Sequence, residues 1–430
     1  KDDKMKRFLI LIVLLLAGCG ESEKAVQETE ESVQETVQET EDVFVQLSKA
    51  SIIFKEHGEL LNNLKLITDQ QAEIIVDTYQ TKHVHWDANF NPLGLPLNGL
   101  SSITNNQAET LGEVRYKPEK DDFCTLYLNG LKSINEEQAK GLSKAESLEL
   151  NGLTSITDQQ AESLSRVEDL YLNGLTSISD QQAESLSKVE YLHLNGLTSI
   201  TDQQAESLSR VEDLHLNGLT SISDQQAESL SNRSSLELNS LNSISDQQAE
   251  NLSNIGWLEL NGLTSITDEQ AESLSNVHNR LELNGLTSLT DEQTESLSKV
   301  EYLYLNGLTS ITDQQAESLN SGEGLEENIH QNNRYHIELN GLTSISSQQA
   351  ENLSKIGNLE LNGLTSITDQ QAVSLGKTGS LELGGLTSIT DEQAKSLRKI
   401  PLGLVISDAC YDVVSKYMEI GLTKASEKKY

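Results

Sequence analysis

The sequence predicts an α/β solenoid in which every repeat supplies one short strand and one short helix. Leucines that open an LxLN segment recur along the chain, and most steps between them are 22 residues. The markers are Leu126, Leu148, Leu170, Leu192, Leu214, Leu236, Leu258, Leu281, Leu303, Ile337, Leu359 and Leu381. A fixed period in this range is typical of repeat proteins, in which stacking of neighbouring repeats buries a continuous apolar core.

Each repeat opens with a strand and a turn, as the repeat at Leu148 illustrates. Leu148 and Leu150 alternate with polar residues, which predicts a short strand with one buried face. Asn151 and Gly152 are turn formers and predict a change of chain direction after the strand. Leu153 is then expected to return the chain to the core.

The second half of the repeat is predicted to be a short, capped helix. Thr157 suits the N-cap position, and Gln160 three residues later completes a capping box. Ile156 and Ala161 fit the hydrophobic staple that accompanies such a box, and Asp158 in the first turn favours the helix dipole. The repeat is therefore predicted to be strand, turn, helix and the next strand.

Carboxylates at the helix start recur once per repeat and form a predicted column. Its members are Asp158, Asp180, Asp202, Asp224, Asp246 and Asp268. One interpretation is that calcium bridges the stacked carboxylates, which would lie about 5 Å apart. We favour the other, in which each Asp simply stabilises the start of its own helix.

The pattern LxLxxLxxIxxxxAxxL covers roughly residues 59–406 and resembles the leucine-rich repeats of bacterial cell-surface antigens. The resemblance implies short parallel strands on a concave face and short helices on a convex face. Leu153, Leu175 and Leu197 stand where the family has a buried Asn, so its usual Asn ladder is expected to be absent. Asn residues at the strand exits are candidates for a different ladder; these are Asn151, Asn173, Asn195 and Asn217.

The ends of the solenoid are predicted from changes in this pattern. The repeats are expected to span residues 47–406, with degenerate repeats at the N-terminal end. Residues 407–430 are predicted to form a helical cap and a tail that cover the last repeat. Ser407 would cap this helix and Gly421 would stop it, with Val413, Val414, Tyr417 and Ile420 on its apolar face.

Residues 1–18 are predicted to be a lipoprotein signal peptide, with an upstream extension over residues 1–4. Lys6 and Arg7 precede an apolar run shorter than the roughly 20 residues that span a bilayer. The LAGC sequence that ends at Cys19 resembles the lipobox of bacterial lipoproteins. The resemblance implies acylation at Cys19, and Gly20 after it implies transit to the outer membrane. An ordinary signal peptide with a chance Cys is the alternative.

Residues 19–46 are predicted to be an acidic tether between the anchor and the solenoid. The segment is rich in Glu and poor in apolar residues, so little core can form. A coiled coil is the alternative, since four apolar residues approach heptad spacing; these are Val26, Val33, Val37 and Phe44.

The charge of the chain limits its partners. The 430 residues include 31 Lys and Arg against 67 Asp and Glu, for a formal net charge of −36. Nucleic acid and anionic membrane surfaces attract basic proteins, so neither is an expected partner, and the membrane is expected to be reached through the lipid anchor. No cofactor is predicted.

The outward strand positions vary, whereas the core, turn and cap positions barely change. The predicted ligand-binding residues on the concave face are Tyr171, Tyr191, His193, His215, Trp257, Arg280, Tyr302, Tyr304 and His336. Aromatic residues and Arg are common interface anchors, which favours an unknown protein partner over a glycan stacked on the rings. Tolerance of β-formers on an outer face is the other interpretation.

Two insertions and two cysteines are further candidate sites in the sequence. The insertions cover residues 73–96 and 320–334, and alternate His83 and His85 in the first suggest a metal site or an ordinary loop. No complete ligand set is evident, so no metal site is predicted. Cys124 and Cys410 lie at opposite ends of the repeats and are not expected to form a disulfide.

The sequence therefore predicts a lipid-anchored binding protein of a bacterial outer membrane, exposed at the cell surface. The alternative is a periplasm-facing scaffold or assembly factor. The chain has no GxSxG, HExxH or phosphate-binding loop, so no catalytic residues are predicted. An enzyme that uses the insertions is the third and least favoured hypothesis.

Overall fold

Short strands and short helices alternate along the whole described chain. The computed structural model describes residues 94–114, 124–320, 335–418 and 421–428, together with scattered positions between 62 and 76. The chain forms two compact units that divide between Gly196 and Leu197, called unit 1 and unit 2 below. Each is an α/β solenoid with one strand and one helix in every repeat, as predicted.

Unit 1 contains parallel strands joined by helices. Its strands are β1 (Gly94–Pro96), β2 (Thr125–Tyr127), β3 (Ser147–Glu149), β4 (Asp169–Tyr171) and β5 (Tyr191–His193). Its helices are α1 (Asn105–Gly112), α2 (Glu136–Leu142), α3 (Asp158–Leu164) and α4 (Asp180–Leu186). Neighbouring strands pair in parallel, and the marker leucines lie opposite one another, as Leu148 and Leu170 do.

Unit 2 repeats the same arrangement. Its strands are β6 (Asp213–His215), β7 (Ser235–Glu237), β8 (Trp257–Glu259), β9 (Arg280–Glu282), β10 (Tyr302–Tyr304), β11 (His336–Glu338), β12 (Asn358–Glu360), β13 (Ser380–Leu383), β14 (Gly403–Ile406) and β15 (Leu422–Lys424). Its helices are α5 (Asp202–Leu208), α6 (Asp224–Ser229), α7 (Asp246–Leu252), α8 (Asp268–Leu274), α9 (Asp291–Leu297), α10 (Asp313–Ser318), α11 (Ser347–Leu353), α12 (Asp369–Leu375), α13 (Asp391–Leu397) and α14 (Asp408–Val414), and Ala425–Glu427 form a 3₁₀ turn.

The core of both units is a stack of leucines. Leu148, Leu150 and Leu153 of one repeat are fully buried, and so are Ala161 and Leu164 of the helix that follows. One repeat is too thin to bury these side chains alone, so the neighbouring repeats complete the core. The predicted core positions of this repeat are confirmed.

The capping boxes are confirmed in helices α1 to α13. In α3 the Gln160 backbone N–H donates to the Thr157 hydroxyl at 3.1 Å, and the Thr157 N–H donates to Gln160 Oε1 at 2.8 Å. Gln160 Nε2 also donates to the carbonyl oxygen of Ile134 in the preceding repeat, at 2.7 Å. The Gln thus closes its own helix and joins it to the previous repeat, a second role that the sequence pattern did not indicate.

The predicted Asn ladder at the strand exits is present. The Asn151 N–H donates to Asn129 Oδ1 at 2.8 Å, and the Asn173 N–H donates to Asn151 Oδ1 at 2.9 Å. The backbones of these turns approach closely, because a Cβ added to Gly152 would lie 2.1 Å from the Asn129 carbonyl oxygen. The ladder explains why a short amide side chain and a glycine follow one another in the turn.

The C-terminal region differs from its prediction in two ways. Helix α14 ends at Val414, so Tyr417 lies beyond it, and the Ser407 side chain makes no cap hydrogen bond. The Ser407 hydroxyl donates instead to the carbonyl oxygen of Leu386 at 2.5 Å. Gly421 has a φ of 76° and precedes β15, a strand that the prediction of a helical cap and tail had missed.

Several predictions lie outside the described residues. These are the signal peptide over 1–18, Cys19, the tether over 19–46, His83 and His85, Ile420 and nearly all of the two insertions. The insertion predicted over 73–96 ends in β1. Cys124 and Cys410 are both buried, and neither forms a disulfide with another described residue. Within the described ranges, no helix has the length and apolarity needed to cross a bilayer.

Candidate interaction face

The first and third residues of each strand point away from the leucine core and form what we call the strand face of each unit. All nine predicted ligand-binding residues lie at these positions. Unit 1 carries Tyr171, Tyr191 and His193, and unit 2 carries His215, Trp257, Arg280, Tyr302, Tyr304 and His336. Parallel pairing without slippage sets them in rows across adjacent strands.

Tyr171 and His193 form a stacked pair on the strand face of unit 1. The rings of Tyr171 and His193 lie 3.8 Å apart with an interplanar angle of 7°. His193 Nε2 lies 3.4 Å from Asp169 Oδ1 on the neighbouring strand. Burial, followed by the charge and hydrogen bond of Asp169, raises the pKa of the Tyr171 hydroxyl well above its usual range. Tyr171 and His193 therefore already have polar and stacking partners within unit 1.

Unit 2 holds a cation sandwiched between two aromatic rings. The Arg280 guanidinium carbon lies 4.0 Å from the Trp257 ring centroid and 4.1 Å from that of Tyr304. Arg280 Nε also donates to Glu282 Oε1 at 2.8 Å. The three stacked side chains come from adjacent strands β8, β9 and β10. Cation–π contacts on both faces and an ion pair fix the Arg280 side chain in one orientation.

His336 extends this sandwich to the next strand. Its ring lies 5.5 Å from the Tyr304 ring and 6.0 Å from the Tyr302 ring. We call the resulting group of Trp257, Arg280, Tyr302, Tyr304 and His336 the aromatic cluster. Trp257 is 36% exposed and is among the most exposed large apolar side chains of the described chain. The aromatic cluster therefore presents the Trp257 indole to solvent beside side chains that pack against one another.

His215 has a different environment from the other predicted residues. Its Nδ1 lies 2.6 Å from Glu237 Oε2, and its Nε2 lies 3.0 Å from Asp213 Oδ1. Burial alone would lower the pKa of His215, but hydrogen bonds to Asp213 and Glu237 outweigh burial and raise it to about 9. His215 is therefore a protonated, internally paired cation at neutral pH.

Sequence reasoning missed a row of carboxylates beside the aromatic cluster. The third strand positions of unit 2 carry what we call the Glu column, which Tyr304 interrupts; its members are Glu237, Glu259, Glu282, Glu338, Glu360 and Glu382. Glu282 and Glu360 are only 7% and 4% exposed. The recurrent Glu between two leucines was visible in the sequence, but its burial was not.

The strand-exit Asn residues hold these carboxylates. Asn217 Nδ2 donates to Glu237 at 2.7 Å, and Asn239 Nδ2 donates to Glu259 at 2.8 Å. The same Asn239 accepts from the backbone of the next turn through its Oδ1, at 3.0 Å. An amide is needed for both tasks, because a carboxylate has no donor and a hydroxyl is too short to reach both neighbours.

Cations from variable positions neutralise most of the Glu column. Arg280 pairs with Glu282, and Lys428 Nζ lies 2.8 Å from Glu360 and 2.7 Å from Glu382. Among the described residues no cation forms an ion pair with Glu259. Burial, followed by the nearby charges of Glu237 and Glu282, raises the pKa of Glu259 to about 7. Glu259, beside Trp257 on β8, is the carboxylate of the column with the greatest need of an external cation.

Comparisons with known proteins show a similarity of fold and nothing more. No family model matches the sequence, and a search of curated proteins finds no match. An internalin from Listeria monocytogenes is 16% identical, with a TM-score of 0.39 over 85% of this chain and 91% of its own. A chain of the Toll–Spatzle complex from Drosophila is 14% identical, with a TM-score of 0.46 over 76% of this chain and 42% of its own.

A chain of the yeast Rad7–Elc1 complex is 15% identical, with a TM-score of 0.41 over 93% of this chain and 98% of its own. Similarities at this level carry no argument about partners. The repeats themselves, each a strand, a turn and a helix around a leucine core, define the fold as an α/β solenoid of the leucine-rich-repeat type.

Proposed function

We propose that the protein binds a partner protein through the strand face of unit 2, with the aromatic cluster as its anchor. The Trp257–Arg280–Tyr304 sandwich is the observation that carries this proposal. Trp, Tyr and Arg dominate the binding energy of protein interfaces, because they combine large contact areas with directional polar groups. A partner protein is favoured over a small molecule because the cluster crosses four strands of an open face.

The cluster is ordered before any partner arrives. Arg280 is held by two rings and Glu282, so little side-chain entropy remains to be lost on binding. His336 is held by ring contacts to Tyr302 and Tyr304. Preorganisation of this kind raises affinity without additional contact area.

The charge of the face favours a basic segment in the partner. Glu259 lies next to Trp257 on β8 and has no ion pair among the described residues, and the chain carries a net charge of −36. A Lys or Arg from the partner would neutralise Glu259, and the overall field would accelerate its approach. Nucleic acid would meet repulsion from the same charges.

A peptide-display screen on the full chain tests this function. We expect enriched peptides to be rich in Lys and Arg and to contain apolar or aromatic residues. Trp257→Ala and Glu259→Gln should each lose the enriched peptides. Tyr191→Ala, which changes an aromatic residue of unit 1 outside the proposed face, should retain them. Equal peptide binding by Trp257→Ala and wild type, with a lower melting temperature for the variant, would overturn this function and leave the sandwich with a structural role only.

We further propose that the protein is lipid-anchored at Cys19 in a bacterial outer membrane, with the solenoid exposed at the cell surface. The order of basic residues, apolar run and LAGC supports this anchor. Protease treatment of intact cells tests it, with a C-terminal tag and a Cys19→Ala control. Loss of the tagged signal from unbroken cells is expected. Protection until the envelope is permeabilised would instead favour a periplasm-facing scaffold.

A further inference from the structure

We propose that His336, Glu338 and Glu360 form a binding site for one divalent transition-metal ion, for which Zn²⁺ is the model. One ligand atom from each residue lies within 4.8 Å of the other two. His336 Nε2 is 3.3 Å from Glu338 Oε1 and 3.7 Å from Glu360 Oε1. One imidazole nitrogen and two carboxylate oxygens are a ligand set that Zn²⁺ accepts, with water completing its coordination.

The backbone fixes the relative positions of the three residues. His336 and Glu338 are the first and third residues of β11, so they share one face of the strand. Glu338 and Glu360 lie opposite one another in the parallel pairing of β11 with β12. The three side chains therefore converge because of strand register, without contribution from a loop.

The Asn ladder orients both carboxylates toward the histidine. Glu338 Oε2 accepts from Asn306 Nδ2 at 2.8 Å, and Glu360 Oε2 accepts from Asn340 and Asn362, each at 3.3 Å. These bonds leave the Oε1 atoms of both residues turned toward His336 Nε2. Hydrogen bonds from outer residues to ligand carboxylates are a regular feature of metal sites, where they fix ligand geometry.

The ligand chemistry distinguishes among metals. Calcium and magnesium prefer sites made entirely of oxygen, whereas an imidazole favours zinc, cobalt, nickel or copper. The site is also electrostatically suited to a dication, because two carboxylates on adjacent strands repel one another until a cation lies between them. Because Glu360 is only 4% exposed, water screens this repulsion poorly, and a dication between the carboxylates would be correspondingly more stabilising.

His215 offers a matched contrast within the same unit. It also contacts two carboxylates, but Asp213 approaches Nε2 and Glu237 approaches Nδ1, on opposite sides of the ring. A metal ion cannot bind both nitrogens of one ring together with both carboxylates at a single point. Two acids therefore clamp His215, whereas at His336 they converge on one nitrogen.

Lys428 competes for the same carboxylate. Its ammonium lies 2.8 Å from Glu360 Oε1, the oxygen that faces His336, and 2.7 Å from Glu382. A dication at the site would displace Lys428 from Glu360, and Glu382 would remain as its partner. The segment that follows β15 thus supplies a tethered cation that lowers the affinity of the site for metal.

Calorimetric titration of the full chain with Zn²⁺ tests the site, with Co²⁺ absorption as a second readout. We expect wild type to bind one Zn²⁺ more than His336→Gln does. His215→Gln should keep the wild-type stoichiometry, and Co²⁺ should give a nitrogen- and oxygen-ligated absorption band that His336→Gln lacks. Lys428→Met should bind Zn²⁺ roughly tenfold more tightly, since a competing charge has been removed.

Two results would overturn the site. The first is a wild-type stoichiometry in both His336→Gln and Glu338→Gln, since any metal bound would then lie elsewhere, for example at His83 and His85. The second is an unchanged Zn²⁺ affinity in Lys428→Met, which would show that Lys428 and the ion do not share Glu360. Trp257→Ala should leave Zn²⁺ binding intact, so failure of the proposed partner interface is distinguishable from failure of this site.

Discussion

Two columns of carboxylates run through the repeats, and they are held in different ways. The Asp column lies at the helix starts, and the Glu column lies on the strands of unit 2. In the Asp column, Ser179 Oγ donates to Asp158 Oδ1 at 2.8 Å, and Ser245 Oγ donates to Asp224 Oδ1 at 2.8 Å. Asp202, Asp246 and Asp268 likewise accept a hydrogen bond from the N-cap hydroxyl of the next repeat.

The Glu column receives its cations from positions that differ between repeats. His215 serves Glu237, Arg280 serves Glu282, and Lys428 serves Glu360. The repeat itself supplies only the Asn amides. A carboxylate whose partner is built into the repeat is part of the scaffold. A carboxylate whose partner varies between repeats is available to bind an external cation. Glu259, proposed to bind a basic partner, and Glu338 with Glu360, proposed to bind a metal ion, are of this kind.

Removal of Arg280 should have the largest effect on stability. Arg280→Met would leave the nearly buried Glu282 without its cation and both rings without their guanidinium. We expect the free energy of unfolding to fall by about 3 kcal/mol, at the lower end for loss of one partner of a buried ion pair, because the Arg280 side chain is itself partly exposed. Urea denaturation followed by circular dichroism would measure this fall.

The double variant Arg280→Met with Glu282→Gln serves as the control for that prediction. With no charge left at position 282, most of the lost stability should return. If the single and double variants lose equal amounts, the rings rather than the ion pair hold Arg280 in the fold.

The repeated elements were predictable from sequence, because one short pattern fixes them many times. Thr157 and Gln160 identify a capping box by spacing alone, and the leucine period fixes strand register. Single departures were not predictable. Arg233 occupies the position of Val211 and Ile255, yet its side chain is only 7% exposed and donates to the Leu230 carbonyl oxygen at 2.7 Å.

The outward placement of the aromatic cluster on the strands was predictable from the sequence, but the contacts of its side chains were not. Aromatic residues at Trp257, Tyr302 and Tyr304 were visible on an outward row. The convergence of Glu360 and Lys428 was not visible, because β15 pairs with β14 after a turn at Gly421 that the sequence pattern does not fix. Contacts between residues far apart in sequence need the fold before they can be recognised.

Stability should also fall as the pH rises, because His215 and Glu259 bind protons more tightly in the folded state than in the unfolded state. The pKa of His215 is about 9, above its ordinary value of 6.5, so its contribution is complete below pH 6.5 and is lost as the pH approaches 9. The pKa of Glu259 is about 7, above its ordinary 4.5, so stability is lost as this group ionises between pH 4.5 and 7.

Within its own window, each group is expected to lower the free energy of unfolding by at most about 1.4 kcal/mol per pH unit. Chemical denaturation at a series of pH values would measure it. Glu259→Gln should flatten the curve below pH 7, and His215→Gln should flatten it above pH 6.5. A stability that rises with pH across this window would contradict both assignments.

A substitution in the Asp column should have the smallest effect on the free energy of unfolding. Asp246→Ala removes an exposed carboxylate that accepts from Thr267 at 3.2 Å and from Gln270 at 3.0 Å, and it leaves no buried charge behind. We expect a loss of about 0.5–1 kcal/mol, the usual contribution of an acidic residue at a helix N-terminus. Calcium at about 1 mM should leave the melting temperature of wild type unchanged, since carboxylates of this column such as Asp246 already have a hydrogen-bond partner in the next repeat. A calcium-dependent rise that Asp246→Ala reduces would instead make this column an ion-binding ladder, and the contrast with the Glu column would vanish.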